Sequence, residues 1–199
     1  MDRNDGMQDI MRHAGTATLA LCLLALLGLA GALDGYSHLE HPVGLPGAAG
    51  MPAAATFNVL VFVLPGAMAA VLAVRLRGRL PAGASPLAGI GCWMLALSGL
   101  AFAAQGLLPL DANQLDSPAS QRHATAWPLW WVAFVPASAA LALGLLRCAD
   151  WRGFALTQAM LGAVVLLMVL APTPWWPAPV SQRVALVAWL LAVALAGRR

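Results

Sequence analysis

Long apolar runs alternate with short polar segments along the whole chain, and this alternation is the main structural signal. Each run is about 20 residues long, enough at helical rise to cross roughly 30 Å of hydrocarbon. The runs predict transmembrane spans at residues 14–33, 54–74, 87–108, 127–146, 154–171 and 180–196. The sequence therefore predicts an all-α, polytopic integral membrane bundle of six transmembrane helices. Residues 1–13 form its N-terminal segment, and residues 14–197 form a single transmembrane domain.

Composition supports the same class. Of the 199 residues, 61% are hydrophobic and 10% are charged, which lies outside the range of soluble globular domains. The polar segments between runs are too short to bury a core of their own. Whatever the protein does is therefore expected to happen in the bundle or at its rims.

The arginines predict the orientation. With a cytoplasmic N-terminus, only Arg122 and Arg183 lie on the outer side, and the positive-inside rule is satisfied. The inner arginines are then Arg3, Arg12, Arg75, Arg77, Arg79, Arg147, Arg152, Arg198 and Arg199. We expect a multi-pass protein of a bacterial inner membrane with both termini cytoplasmic. The net charge of +3 reflects this orientation and anionic lipids, with no nucleic acid as a partner.

Several features refine the spans. The first run is expected to be retained rather than cleaved as a signal peptide, because acidic residues offset the arginines that precede it. Pro65 and Pro136 lie inside spans and remove backbone donors there. An aromatic belt is predicted at the outer span ends. It consists of Trp127, Trp130, Trp131, Trp175 and Trp176.

Ionisable side chains are missing from the interior of the predicted spans. Such residues usually mark ion pathways and proton relays, so a pump or an ion-coupled transporter is disfavoured. A b-type haem bundle is disfavoured too, because it needs histidines that face each other across spans. The strongest polar side chains at depth are amides. Asn58 and Gln105 are predicted near the outer surface and Gln158 near the inner one.

The first outer loop carries a histidine and acid pattern. If the first helix continues past the membrane, Asp34, His38 and His41 recur at i, i+4 and i+7 and share one face. Pro42 would end that helix, whereas Gly35 weakens the case for it. Three of the four histidines and four acids fall in the two outer loops, which predicts a polar site on the outer side.

One hypothesis is a metal site. Imidazole and carboxylate groups are ligands of zinc and related divalent metals, and His38, His41 and His123 with Asp111 would complete a tetrahedral set. Two alternatives stay open. The residues form a polar site that binds a headgroup or stabilises the loops without metal, or they are scattered residues of a wet membrane interface.

A hydrolytic version of the metal hypothesis assigns further roles. Asp111 or Glu40 would act as the general base for a bound water, and Ser37 or Asn58 would orient a lipid-like substrate. Asn58, Gln105 and Asp34 are the candidate ligand-binding residues. Nothing in the sequence decides whether the protein is an enzyme.

The outer loops resemble a six-span family catalogued as domain of unknown function 998. The resemblance covers roughly residues 14–197 and rests on Tyr36 to Gly47, Asn58, Pro65-Gly66, Gly106 to Asp111, and His123. It implies six helices and an outward polar site, with no established activity. A fainter similarity links Ser37, His41 and Asp111 to the alkaline ceramidase and adiponectin-receptor group of membrane hydrolases. Those proteins have seven spans and a His-x-x-x-His motif that this chain lacks.

Three functions follow as competing hypotheses. The leading one is an outward site that binds a metal or a small or lipid-like ligand, with a metal-dependent lipid hydrolase as its enzymatic form. The second is a non-catalytic accessory subunit that packs against a membrane protein partner or a second copy of the chain. The third is a transporter of a small neutral solute.

Overall fold

The computed structural model describes residues 3–114, 116–170 and 176–199, with side chains from residue 13 onward. These residues are all-helical without strands, and six helices are long and apolar enough to cross a membrane, which confirms the predicted fold class. Residue 171, the expected end of the fifth span, lies outside the described residues. The helices are α1 Arg3–Gly31, α2 Ala54–Arg77, α3 Pro86–Leu107, α4 Pro118–Leu145, α5 Arg152–Leu170 and α6 Ala178–Gly197.

Each helix packs against the next along the chain, and α6 returns to contact α1 and α2. This order follows from the short connections, which place consecutive helices side by side. α6 is the most buried of the six. Its residues therefore contribute both to the core of the bundle and to contacts at the two ends of the bundle.

Aromatic rings fill the centre of the bundle. The Trp189 ring on α6 lies 4.3 Å from the Phe102 ring and 5.9 Å from the Trp130 ring between centroids. Its indole Nε1 donates a hydrogen bond to Ser98 Oγ at 3.1 Å, which satisfies the polar atom of a fully buried ring. α3, α4 and α6 are thus joined through one aromatic cluster.

The predicted aromatic belt is wrong at Trp130. This ring is fully buried because it projects from α4 into the aromatic cluster instead of towards the membrane boundary. Trp127 and Trp131 are half-buried, and Trp176 is exposed, as interfacial rings are. Trp175 lies outside the described residues.

α2 and α3 approach so closely that only glycine fits where they cross. A Cβ atom on Gly66 would lie 2.4 Å from the Gly99 carbonyl oxygen, and one on Gly99 would lie 2.6 Å from the Gly66 carbonyl oxygen. Both neighbours are backbone atoms, which cannot rotate away as a side chain can. The Gly66–Gly99 contact therefore sets the spacing of the two helices.

Pro65 is tolerated inside α2 for a local reason. It has no N–H group, so the carbonyl of Val61, four residues earlier, loses its helical donor. A π-helical turn at Val59–Val63 precedes the proline, and Cys22 Sγ of α1 donates to the Val61 carbonyl at 3.5 Å. A neighbouring helix thus satisfies the freed carbonyl, as is usual for prolines in membrane helices.

The two ends of the bundle differ in charge. At one end, Arg75 Nη1 donates to the Gly197 carbonyl at 2.9 Å, and Arg79 Nη1 donates to the Arg199 carbonyl at 3.1 Å. We call this the arginine end. At the other end, residues 32–53 and 108–117 connect the helices, and Ala49 N donates to the Leu110 carbonyl at 2.8 Å. We call this the loop end, and its outward orientation stays a prediction.

Candidate functional site

The first loop does not continue α1. The helix ends at Gly31, and Gly35 follows with a φ of +74°, a left-handed conformation that glycine adopts without strain. The prediction that Asp34, His38 and His41 share one helix face is therefore wrong. The loop instead folds back, and Tyr36 and His38 contact Arg183 of α6.

Tyr36 organises the histidines of this loop. Its ring lies edge-on to the His38 ring at 5.1 Å and stacks on the His41 ring at 5.5 Å between centroids. Its hydroxyl accepts a hydrogen bond from Arg183 Nη2 on α6. Burial raises the pKa of the Tyr36 hydroxyl, and the guanidinium of Arg183 opposes that rise.

Arg183 fixes the first loop to α6. Its Nη1 donates to the His41 carbonyl at 3.1 Å and to the Pro179 carbonyl at 2.8 Å, and its Nε faces His38 Nδ1 at 3.4 Å. Burial lowers the pKa of His38, and the positive charge of the nearby Arg183 guanidinium lowers it further. Sequence reasoning did not select Arg183. The available signal was its position as one of two arginines left on the outer side.

The described structure does not bring the three loop-end histidines together as a metal-binding group. Among the described residues, no three His, Cys, Asp or Glu side chains lie close enough together to hold a metal ion. His41 Nδ1 accepts a hydrogen bond from Ser37 N at 3.0 Å, and His38 Nδ1 faces the Arg183 donor. In a neutral ring the remaining Nε2 atom then carries the proton and offers no lone pair to a metal.

His123 is placed differently, on the first turns of α4. Its Nδ1 lies 2.9 Å from the Leu108 carbonyl oxygen, which can only accept, so Nδ1 carries the proton. The Nε2 atom of the neutral ring is then an acceptor. This Nε2 atom lies next to Gly44 of the first loop, 3.1 Å from the position that a Cβ on Gly44 would take. His123 thus presents a lone pair to the first loop.

Asn58 and Asp111 have roles in loop structure. Asn58 is buried, and its Nδ2 donates to the Gly47 carbonyl at 2.8 Å, which ties the first loop to α2. Asp111 Oδ1 accepts from Asn113 N at 2.9 Å, so the carboxylate closes a local turn. The backbone N of Asp111 donates to Ser120 Oγ at 3.0 Å. Both polar groups are therefore engaged within the loop end.

The remaining candidates of the hydrolytic hypothesis lie apart from His123. Ser37 Oγ accepts from Leu39 N at 3.3 Å, and Glu40 is exposed. Asp34 is also exposed and lines a separate cleft of about 180 Å³ with Tyr36 and His41. The arrangement brings no general base, oriented hydroxyl and metal-ligand set to one point.

A cavity of about 260 Å³ does bring predicted residues together. Gln105 of α3 and His123 of α4 both line this cavity, and Pro42 and Gly44 of the first loop line another part of it. Gln105 is fully buried, and both its side-chain atoms, Nε2 and Oε1, lack a hydrogen-bond partner. The lining residues are Pro42, Gly44, Gln105, Leu110, His123, Ala124, Trp127 and Gln182.

The chemistry of this cavity is neutral and polar. Among the described residues that line it there is no Asp, Glu, Lys or Arg. Gln105 offers an acceptor and two donors, and His123 offers the Nε2 acceptor. Gln182 uses its Oε1 to accept from Val43 N at 3.1 Å, which leaves its amide nitrogen as a donor. The sequence analysis selected Gln105 and His123 but not Gln182. Gln182 directly precedes Arg183, one of the two arginines assigned to the outer side.

Comparison with known proteins gives no match for the chain. No family model matches it, and no curated protein and no solved structure matches it either. The resemblance to the domain of unknown function 998 and the fainter similarity to membrane hydrolases therefore stay predictions.

Proposed function

We propose that this membrane protein binds a small neutral group bearing hydroxyls or amides in the loop-end cavity. The observation that carries the proposal is the side chain of Gln105. Buried polar groups nearly always have a hydrogen-bond partner, and an amide without one costs about 1–3 kcal/mol. Gln105 is among the residues that line a cavity of about 260 Å³, and its complete amide is buried without a hydrogen-bond partner. A bound polar group supplies the missing bonds.

The ligand class follows from the donors and acceptors. A hydroxyl both donates and accepts, so it pairs with the amide of Gln105 and with the Nε2 lone pair of His123. Charged groups are disfavoured because the described lining residues include no Asp, Glu, Lys or Arg to pair with them. The Trp127 ring adds an apolar wall, as is common in small-molecule sites. The group belongs either to a free polyol-like solute or to the headgroup of a neutral lipid.

Binding without hydrolysis is the form that the contacts favour. Asn58 and Asp111 were assigned to substrate orientation and to catalysis, but the Asn58 amide on α2 bonds to the first loop and the Asp111 carboxylate bonds within its own loop. Transport gains no support from Gln158, whose Nε2 donates to the Ala192 carbonyl at 2.9 Å and which is not among the cavity-lining residues. We therefore propose a ligand-binding protein and not a metal-dependent hydrolase.

Thermal unfolding of the purified protein tests the proposal. The detergent carries no hydroxyl groups, for example an amine oxide, so that it does not compete with the ligand. The probes are free glycerol, monooleoylglycerol, and methyl oleate as the chain without hydroxyls. A ligand at 100 times its Kd stabilises by about 2.7 kcal/mol, which raises the Tm by roughly 5–10 °C. Glycerol identifies a free solute, and monooleoylglycerol alone identifies a lipid headgroup.

Two variants make the test specific. Gln105→Met removes the amide and should abolish the shift produced by the active probe. Gln158→Met removes a buried amide near the other end of the bundle and should lower the basal Tm but keep the shift, because Gln158 does not line the cavity. The proposal is overturned if neither hydroxyl probe shifts the wild-type Tm, or if Gln105→Met responds as the wild type does.

A further inference from the structure

A second feature lies outside the cavity, between α5 and α6. These helices form a groove of about 380 Å³ with almost wholly apolar walls. Leu161 and Val164 come from α5, and four residues of α6 complete the apolar lining, namely Val184, Val187, Ala188 and Leu191. The remaining lining residue is Arg183, at the loop end of the groove. An apolar channel along the bundle surface thus ends at the stem of Arg183, and the guanidinium group lies beyond it, directed to the first loop and to the Pro179 carbonyl.

The charge of Arg183 has no acidic partner among the described residues. Its hydrogen-bond acceptors are two backbone carbonyls, the Tyr36 hydroxyl and the His38 ring, and all of them are neutral groups. A guanidinium has five N–H donors, and four are engaged in these contacts, so one remains. A partly buried charge without a counter-charge is unfavourable, and an anion at this position relieves it.

We propose that a phospholipid occupies this groove, with its phosphate bound by Arg183 and one acyl chain along the α5–α6 walls. The geometry matches the two parts of such a molecule. Arg183 and Leu191 lie two helical turns apart, so the groove extends roughly 12 Å from the cation. That depth is a substantial part of one leaflet of a hydrocarbon core about 30 Å thick. Guanidinium groups bind phosphate through charge-assisted hydrogen bonds.

The occupant is a lipid rather than free phosphate because the apolar groove ends at the residue that carries the cation. Inorganic phosphate would satisfy Arg183 but leave the apolar walls uncovered. A neutral lipid would cover the walls but leave the charge of Arg183 unpaired. Only a molecule that carries both an anion and an acyl chain meets both requirements. This site does not depend on the ligand proposed for the loop-end cavity.

Native mass spectrometry of the whole protein tests the site. Delipidated protein is titrated with phosphatidylglycerol, with diacylglycerol of the same chains, and with phosphatidylglycerol in the presence of excess inorganic phosphate. We expect one tightly bound phosphatidylglycerol, weaker diacylglycerol, and little displacement by phosphate. Arg183→Gln should weaken phosphatidylglycerol binding about tenfold or more, since a hydrogen bond to a charged group contributes about 1.5–3 kcal/mol. Its diacylglycerol binding should stay unchanged.

Further variants separate the site from loop damage and from general attraction. Val187→Trp fills the groove, leaves the contacts of Arg183 in place, and should weaken both lipids. Leu143→Trp, at an exposed position of α4, is its control. Arg122→Gln changes the other arginine at the loop end, which is exposed and bonds to the Pro118 carbonyl, and should bind like the wild type.

Three results would overturn the proposal. In the first, Arg183→Gln and Arg122→Gln lose the same affinity, which indicates general electrostatic attraction. In the second, Val187→Trp binds phosphatidylglycerol as tightly as Leu143→Trp does. In the third, inorganic phosphate displaces the lipid completely, which indicates an anion site without a chain site.

Discussion

Substitution of Gly66 by alanine is the sharpest test of the helix packing. The new methyl group would lie 2.4 Å from the Gly99 carbonyl oxygen and 2.5 Å from the Ala103 backbone nitrogen. Ordinary carbon contacts lie at about 3.5–4.0 Å, so α2 and α3 must separate by roughly 1 Å. Because both obstacles are backbone atoms, no change of side-chain rotamer relieves the clash.

The expected loss of stability follows from two opposing effects. Overpacking of a close interface costs about 3 kcal/mol when the neighbours cannot move. Alanine gains about 1 kcal/mol over glycine in helix propensity. The net loss is about 2 kcal/mol, which lowers the Tm of a chain of this length by roughly 4–8 °C. Gly89, on the same helix as Gly99, has no atom within 4 Å of the position that a Cβ would take there, and it serves as the control.

The assay is thermal unfolding in detergent, followed by the loss of monodisperse protein in size-exclusion chromatography after heating. Gly66→Ala should melt several degrees below the wild type. Gly89→Ala should melt at or slightly above the wild-type temperature. If Gly66→Ala melts within a degree of Gly89→Ala, the two helices do not cross at the Gly66–Gly99 contact and the packing argument is wrong.

Three further predictions concern the loop end and the orientation. Asn58→Ala should cost about 1 kcal/mol through loss of the bond to the Gly47 carbonyl, and faster proteolysis of the first loop than in the wild type would show it. The pKa of His38 is lowered in the folded state beside Arg183 and Tyr36, so its contribution to stability is complete above a pH of about 6.5 and is lost as the pH falls. A plot of Tm against pH should therefore be flatter below pH 6.5 for His38→Gln than for the wild type, and identical slopes would contradict this. Cys22 and Cys92 are buried, whereas Cys148 is partly exposed near the arginine end. An impermeant maleimide should therefore label Cys148 only from the cytoplasmic side. Labelling of Cys148 in intact cells would show that the predicted orientation is reversed.

The spans were predictable because a membrane imposes one strong pattern on sequence. Length and apolar character place each helix, and the grouping of Arg75 and Arg79 at one end follows from the same physics. The start of α4 was not found. This helix begins at Pro118, where Ser117 caps it by accepting from Ser120 N, and its first turns are polar. An apolar run predicts the part of a helix that lies in the membrane, but it does not predict how far the helix extends beyond the membrane.

The site was only partly predictable. Gln105 was found because an amide near the end of a span is unusual, and His123 was found as one of the three histidines in the outer loops. The path of the first loop was not, because it depends on the left-handed Gly35 and on contacts with Arg183, which lies far away in sequence. Histidines that share a loop were assigned to metal, whereas their ring nitrogens are directed to Ser37 and to Arg183. Hydrogen-bond direction is a property of three-dimensional contacts, which spacing does not encode.

The aromatic cluster gives the protein an optical signal of its native state. Trp130 and Trp189 are fully buried, their ring centres are 5.9 Å apart, and their planes are inclined by 69°. Two indole chromophores held at a fixed angle and short separation couple their electronic transitions and produce a strong near-ultraviolet circular dichroism band. That band reports the packing of α4 against α6 without any attached label. Replacing Trp189 with phenylalanine should remove the part of the band that comes from this pair, whereas the Trp127–Trp130 pair within α4, with ring centres 5.7 Å apart, keeps its own contribution.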